Sequence, residues 1–433
     1  MRYWSHSEIR ETFLKYFADH DHLVIGSRSL VPVDDPTLLL VNSGMAPLKP
    51  FFTGEQDAPR KRLCNIQKCV RTNDIESVGD RHHLTFFEMM GNWSIGDYFK
   101  QEAIEFAWRL ISEGFGFDTS RIYATVYGED RKLPEIPSDD ESLRIWETLL
   151  PPERIIRLGA ESNFWGPAGT SGPCGPCTEV FFDRGEEYGC GQPTCGPECE
   201  CGRFLEIWNA GVFMQYDLRG DGMFAELPFR SVDAGAGLDR FSIILQSVDS
   251  VYETDLLKPI VEIVVSESEL PADAKSVRII TDHVRCGTLL ISDGVQPGNL
   301  GKEYVLRRLL RRAFLHSKLA GVSSETLLTA AATVRELLSP YYPEVKDSGE
   351  LVRHTIEKEH ASFETTLRRA MRELEKIVDS SNGSITGADA FRLHDTLGLP
   401  LEMTKELAHA RGLTVNEKEY KEQLEEHRRR SRG

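Results

Sequence analysis

The sequence predicts an α+β fold: an antiparallel sheet flanked by helices over residues 1–252, then a mainly helical domain over 253–433. Three observations predict it. Short apolar, aromatic and β-branched runs, punctuated by Gly and Pro, fill the first part without regular alternation with helices, which favours an antiparallel sheet over βαβ units. From about Asp255 onward long amphipathic patterns take over. The 433 residues also exceed one ordinary core and fit two or three domains.

Taken in order, an amphipathic helix is expected over 7–19 and a strand over 37–41. A strand–loop–strand follows around Arg71, its second arm over 84–89. A helix over 101–112 precedes strands over 121–127, 179–182, 206–216 and 229–232. The last of these feeds a glycine-bearing turn and a helix over 238–248. The second part reads as helices over 281–292, 304–319, 325–338 and 350–378. A small unit over 388–430 closes it with a mixed-charge helix. No internal repeat or low-complexity linker interrupts the pattern.

Composition narrows the function classes. Apolar residues make up 40% and charged residues 27%, as in water-soluble globular proteins. MRYWSHSEIRET lacks the apolar core of a signal peptide, and the runs TLLLV and IVEIVV are strand-sized, so a cytoplasmic protein is expected. A net charge of −17 argues against broad nonspecific nucleic-acid binding but leaves room for a local basic face. Nine cysteines, an odd number without an export signal, point to reduced thiols or a metal site.

The strongest local feature is the run 231–240, SVDAGAGLDR. A strand leads into Asp233, then Gly235 and Gly237, then a helix with Arg240 in its first turn. Glycines let backbone approach a ligand, a helix N-terminus with a guanidinium grips phosphate, and Asp233 can pair with a cation such as an α-ammonium. The bland alternative is a turn with a surface ion pair. Arg71 stands at the mouth of the earlier strand–loop–strand, placed to hold an α-phosphate while the loop covers ATP, or merely to be solvated.

These two features together resemble motifs 2 and 3 of the class II aminoacyl-tRNA synthetases. The wording is nearer still to the alanyl-tRNA synthetase family. SLVPVDDPTLLLVNSGMAPLKPFF, HLTFFEMMGNWSIGDYFK, NFWGPAGTSGPCGPCTEVFFDRG, EIWNAGVFMQY and SVDAGAGLDR resemble its catalytic blocks in order. ITDHVRCGTLLISDGVQPGNLGKEYVLRRLLRRA and FRLHDTLGLP resemble its tRNA-recognition region. The resemblance implies that alanine is activated with ATP and Mg²⁺ to alanyl-adenylate and transferred to the 3′ end of tRNA(Ala). It implies Arg71 on the α-phosphate, Arg240 and Gly237 on the nucleotide, and Glu88 and Trp93 at the adenine. Asp233 would take the alanine ammonium, with Gly235, Met45, Trp165 and Val212 around the methyl group. EIWNAGVFMQY is one residue longer than the block it resembles. The loop after Arg71, with Arg81 and His82, is short for the family.

On the RNA side, 301–320 carries Lys302, Arg307, Arg308, Arg311, Arg312 and Lys318 against the single acid Glu303. Arg307/Arg311 and Arg308/Arg312 are spaced i, i+4, so they form two adjacent rows on one side of a helix. Such a stripe suits phosphates of an acceptor stem, or else a face paired with nearby acids. The resemblance implies RNA, with Asn299 and Asp395 reading a G·U pair; Lys302-Glu303 stands where Arg-Gly is commoner.

Cys190, Cys195, Cys199 and Cys201 crowd into CGQPTCGPECEC, which can give a tetrahedral structural zinc site or remain free thiols in a loop. Cys174 and Cys177, in GPCGPC, are expected to serve packing and a turn, not redox chemistry. The sequence holds no H-x-x-x-H of the family's editing domain. A pocket that rejects one missing methyl or one added hydroxyl by only about 1–3 kcal/mol should then leak serine into activation, uncorrected within this polypeptide. Serine-dependent pyrophosphate exchange measures this, and discrimination equal to that of an editing enzyme would overturn it. Competing readings are an alanyl-adenylate-forming paralogue that loads a carrier or small molecule, and a non-catalytic RNA- or ATP-binding module.

Overall fold

The structure, a computed structural model, describes residues 2–432 apart from 34, 36, 168, 381 and 382. The chain forms two compact units, Met1–Val261 and Glu262–Gly433, whereas the change in sequence texture places the division at 252/253.

Unit 1 is built on a nine-stranded sheet. Its strands are β1 (Leu23–Val24), β2 (Arg62–Val70), β3 (Phe86–Ile95), β4 (Ile122–Tyr127), β5 (Ile155–Leu158), β6 (Phe164–Trp165), β7 (Gly172–Asp183), β8 (Phe204–Leu218) and β9 (Phe224–Gly237). The order is β1-β2-β3-β9-β8-β7-β4-β5, with β6 paired to β7. All pairs through the middle are antiparallel; the outermost pairs β1–β2 and β4–β5 are parallel. The α+β expectation holds, with a mixed sheet whose antiparallel centre carries the site.

Helix α1 (His6–Asp19) starts at a capping box in which Ser5 and Glu8 satisfy each other's backbone N–H groups. It buries Ile9, Phe13 and Phe17 and packs on β2 and β3. Helices α2 (Lys100–Arg109) and α3 (Leu238–Leu245) complete the cover of β8 and β9.

Four local expectations are corrected. Residues 37–41 form no strand, because the Asp35 carboxylate accepts from the Thr37 N–H (2.9 Å) and hydroxyl (2.5 Å) and turns the chain. IVEIVV belongs to the helix Lys258–Val265, burying Ile260, Val261 and Val264 at helical spacing. GPCGPC lies inside β7 and not in a turn. Residues 233–237 continue β9 as strand, with helix α3 beginning only at Leu238.

Unit 2 packs α4 (Lys275–Ser292), α5 (Gly301–Ala320), α6 (Ser324–Leu338) and α7 (Gly349–Ser380) on one another. A smaller group follows: α8 (Gly387–Asp395), α9 (Leu401–His409) and α10 (Glu417–Arg432), with a parallel pair β10 (Ser384–Ile385) and β11 (Thr414–Val415). Among the described residues no helix is long and apolar enough to cross a membrane.

Candidate active site

The pocket in unit 1 is laid out by sheet register. One row across four strands aligns Trp93 (β3), Asp233 (β9), Val212 (β8) and Cys177 (β7); the next aligns Gly91, Gly235, Asn209 and Glu179. Directly paired residues share a face, so two steps along β3, β7 and β9 return to the same face. On β8 the two rows are three residues apart. The extra residue of EIWNAGVFMQY is absorbed there as a β-bulge, with register shifts between Asn209 and Val212 against β9. Without the bulge the longer block would turn one of the two side chains to the opposite face. With it, Asn209, Val212, Asp233 and Gly235 all line one cavity.

Trp93 forms the floor. It is fully buried, and its indole Nε1–H donates to Asp233 Oδ1 at 2.7 Å. The bulky ring fits because Gly91 lacks a side chain; a Cβ there would lie 2.2 Å from Trp93 Cζ2. Gly235 does the same for Met89, whose sulfur would be 2.9 Å from an added Cβ. These glycines make room in a strand; they do not shape a turn. Met45, Val212 and Cys177 join Trp93 in one apolar cluster against which Trp165 packs. Desolvation by this surround pushes the Asp233 carboxyl up to about 7, against the lowering effect of the Trp93 hydrogen bond.

Arg71 and Arg240 line the same cavity. Arg71 Nε donates to the Asn42 carbonyl at 3.4 Å, and its guanidinium lies 4.8 Å from the centre of the Phe87 ring. Arg240 NH1 is held by Glu206 Oε2 at 2.8 Å. Glu179 is half-buried in the same cavity. Burial, and then the Glu206 charge, push its carboxyl well above the usual range, while Asn209 Nδ2 donates to it at 3.3 Å.

Three expected contacts are placed elsewhere. Glu88 points away from the cavity, because strand alternation puts Phe87 and Met89 on the pocket face and Glu88 on the other. There it meets Arg10 of α1, and its N–H donates to Asp239 Oδ2 at 3.0 Å. Trp93 and Met45 are not in the cavity wall but beneath it, so the tryptophan supports Asp233 and does not face an adenine. Phe87, Met89, Asn209, Glu179 and Glu206 are wall residues that the sequence reading missed. Phe87 could have been found by applying strand alternation to the assignment of Glu88.

The loop between β2 and β3 brings His82 and His83 to the rim. Asp80 accepts from the N–H groups of His82 (3.0 Å) and His83 (2.8 Å) and from the His83 ring. Burial opposes ionisation of Asp80, but these bonds hold its carboxyl well below the usual range. The Arg81 carbonyl accepts from the Val251 N–H (3.0 Å) and the Ser250 hydroxyl (3.1 Å), fastening the loop from below.

One cavity thus brings together the buried Asp233 carboxyl and the two arginines, Arg71 and Arg240. The sequence profile described as tRNA synthetases class II (A) matches residues 8–433. The chain belongs to that family. It is 44% identical over 439 residues to the alanine--tRNA ligase of Thermoanaerobacter sp. (strain X514), covering 99% of this chain and 49% of that protein. Identity is 45% over 437 residues to the alanine--tRNA ligase of Dehalococcoides mccartyi (strain ATCC BAA-2100), again covering 99% and 49%. Alanine--tRNA ligase 1 of Lachnoclostridium phytofermentans is 41% identical over 445 residues, covering 100% and 49%. The chain thus spans about half the length of the curated relatives it matches.

In this class II (A) chain the basic rows of α5 exist as expected, but they face protein. Arg307 and Arg311 both meet Glu359 of α7, at 3.3 and 2.7 Å. Arg308 and Arg312 meet Glu402 (3.7 Å) and Glu406 (2.7 Å) of α9. Arg312, only 4% exposed, also donates to His283 Nε2 at 3.0 Å. It is a core residue and not a phosphate contact. Asn299 and Asp395 are exposed; Asn299 Oδ1 accepts from Arg307, which fixes the amide.

Proposed function

We propose that this pocket activates alanine with ATP to alanyl-adenylate, and that the enzyme passes the alanyl group to the 3′ end of tRNA(Ala) in the cytoplasm. The observation that carries the reading is the Asp233 carboxylate, buried, aimed into the cavity and held by Trp93. A desolvated carboxylate with one neutral donor is a hole for a cation, and an α-ammonium fits it. Val212 and Trp165 beside it leave an apolar corner for a methyl group. The names and near 44% identity of the relatives support alanine as the amino acid.

The chemistry follows from alignment. An oxygen of the alanine carboxylate attacks the α-phosphorus, the bond to the bridging oxygen breaks, and pyrophosphate leaves. The nucleophile is already anionic, so no protein base is required. Arg71 neutralises the α-phosphate, Phe87 offers the nucleotide base a ring, and Arg240, fixed by Glu206, faces the nucleotide with Gly237 at its side. Glu179 and Glu206, two carboxylates close together in the cavity, form the oxygen donor set that would hold Mg²⁺, which supplies charge neutralisation at the phosphates. Zinc belongs outside this pocket, to the cluster of Cys190, Cys195, Cys199 and Cys201. In the helical unit Asn299 and Asp395 are the exposed groups for reading an acceptor stem. Arg307, Arg308 and Arg311 shape that surface through their ion pairs.

Alanine-dependent exchange of pyrophosphate into ATP tests the first step, and charging of tRNA(Ala) tests the second. Both should occur. Exchange without charging would move the acceptor to a carrier or small molecule, and absence of both would sink the reading.

A further inference from the structure

Between β7 and β8 the chain makes a tight excursion that the pocket chemistry does not use. Within it Cys190 and Cys199 bring their sulfurs to 3.6 Å, and Cys195 and Cys201 do the same. All four sulfurs lie within 4.8 Å of one another. Four thiolates on one zinc ion, with Zn–S near 2.3 Å, occupy the corners of a tetrahedron whose edge is about 3.8 Å. Two edges are therefore nearly formed and the rest need only small movements. An iron–sulfur cluster would spread its four ligands wider than a single ion does. Unpaired thiols crowded at this distance without a cation would repel on ionisation.

The surrounding backbone fits the same ligand. The Cys195 and Cys199 N–H groups bond back to the Gln192 and Gly196 carbonyls at 3.0 and 2.8 Å, closing two turns that each present a cysteine.

We propose that residues 190–201 form a structural zinc knuckle, Cys190, Cys195, Cys199 and Cys201 holding one Zn²⁺ with no open position. Its task is mechanical. Two residues past Cys201, Arg203 makes a double ion pair with Asp183, both contacts at 2.8 Å, which ties the end of β7 to the start of β8. Glu206, which holds Arg240, follows three residues later on β8. The knuckle thus clamps the hairpin whose bulge sets the pocket register. It does not depend on the identity of the amino acid activated.

The full chain purified without chelator should contain one zinc per molecule by elemental analysis. Four thiols should react with a mercurial in step with release of that zinc. Growth with cobalt should yield protein with the intense thiolate-to-Co²⁺ charge-transfer and tetrahedral ligand-field bands of a four-sulfur site. Cys190→Ser with Cys199→Ser should abolish the bands and lower Tm by several degrees. Metal-free protein with four reactive thiols, two disulfides in their place, or resident iron would each overturn the proposal. So would cobalt bands that survive the double substitution. Because wild-type protein supplies the first three readouts, a variant that fails to fold leaves the test intact.

Discussion

Asp233 and Arg312 are both buried charged groups, and they sit in opposite electrostatic situations. Arg312 is enclosed by Glu406, by His283 and by the second-rank partner Asp282, which accepts from His283 Nδ1 at 2.7 Å. Burial pushes His283 down to about 4, so it stays neutral and can accept from the guanidinium. Burial would raise Glu406, but His316 and Arg312 hold it down at about 2. Arg312 and Glu406 each meet an opposite charge there. Asp233 has one neutral indole donor and an open cavity before it. The difference teaches that a charge cluster in a sequence signals a ligand only where the fold leaves the charge uncompensated.

The largest test of that contrast is Asp233→Asn. Alanine-dependent exchange should lose about 10³-fold or more in kcat/KM, since the ammonium loses the counter-charge assigned to it. The folded protein should at the same time become more stable. The Asp233 carboxyl titrates near 7 when folded and near 4 when unfolded. As pH rises from 4 to 7 the unfolded chain ionises more readily, and stability is lost through that window. Asn removes the loss while keeping an oxygen for Trp93. A gain on the order of 4 kcal/mol is expected at pH 8 and none at pH 4. Denaturant midpoints at the two pH values measure it. A destabilised Asn variant at pH 8 would break the comparison.

Arg312→Ala comes next and should behave in reverse. Removing one partner of a buried ion pair leaves Glu406 uncompensated and should cost about 3–5 kcal/mol, with alanine exchange in the folded fraction near wild type. Its row-mate Arg308 stands 3.7 Å from the exposed Glu402, so Arg308→Ala should stay within about 0.5 kcal/mol. If Arg312→Ala left stability unchanged and raised KM for tRNA instead, the helix face would be a phosphate surface after all.

What the sequence revealed follows the same line. The i, i+4 spacing of Arg307, Arg308, Arg311 and Arg312 correctly places two rows on one helix, because helical geometry is local. Which way those rows face depends on Glu359, Glu402 and Glu406, which lie up to about a hundred residues further along and carry no signal of their pairing. Asp233, Arg240 and Arg71 stand out in the sequence by short spacing and residue chemistry, and the fold brings them to one cavity. Their local form is not legible: the glycines look like a turn until the pairing with β3 and β8 makes them strand. Glu88 was misplaced by one residue's worth of strand alternation. The bulge at 209–212 was visible as an extra residue, but only the two neighbouring registers show what it preserves.

A more modest loss of activity than that of Asp233→Asn is also the most diagnostic. Trp93 donates to Asp233 from beneath the cavity wall and, in this reading, contacts no substrate. It acts as a positioning residue. Trp93→Phe keeps an aromatic ring over Gly91 and removes only the N–H. A hydrogen bond to a charged group is worth about 1.5–3 kcal/mol, so the Asp233 carboxyl should rise by roughly one to two pH units above its value near 7. Because alanine binding needs the carboxylate, kcat/KM for alanine falls tenfold per pH unit below that midpoint. The variant should therefore be about tenfold weaker at pH 7 and recover as pH rises towards 9. His82, held down by burial, and His83, held up by its bond to Asp80, also line the pocket, on the side assigned to the nucleotide; the ATP profile should keep its wild-type midpoint. A merely structural tryptophan would lower activity evenly at every pH and leave the alanine midpoint where it was. That flat profile would show that the indole fills space, and that Asp233 owes its orientation to the strand pairing alone.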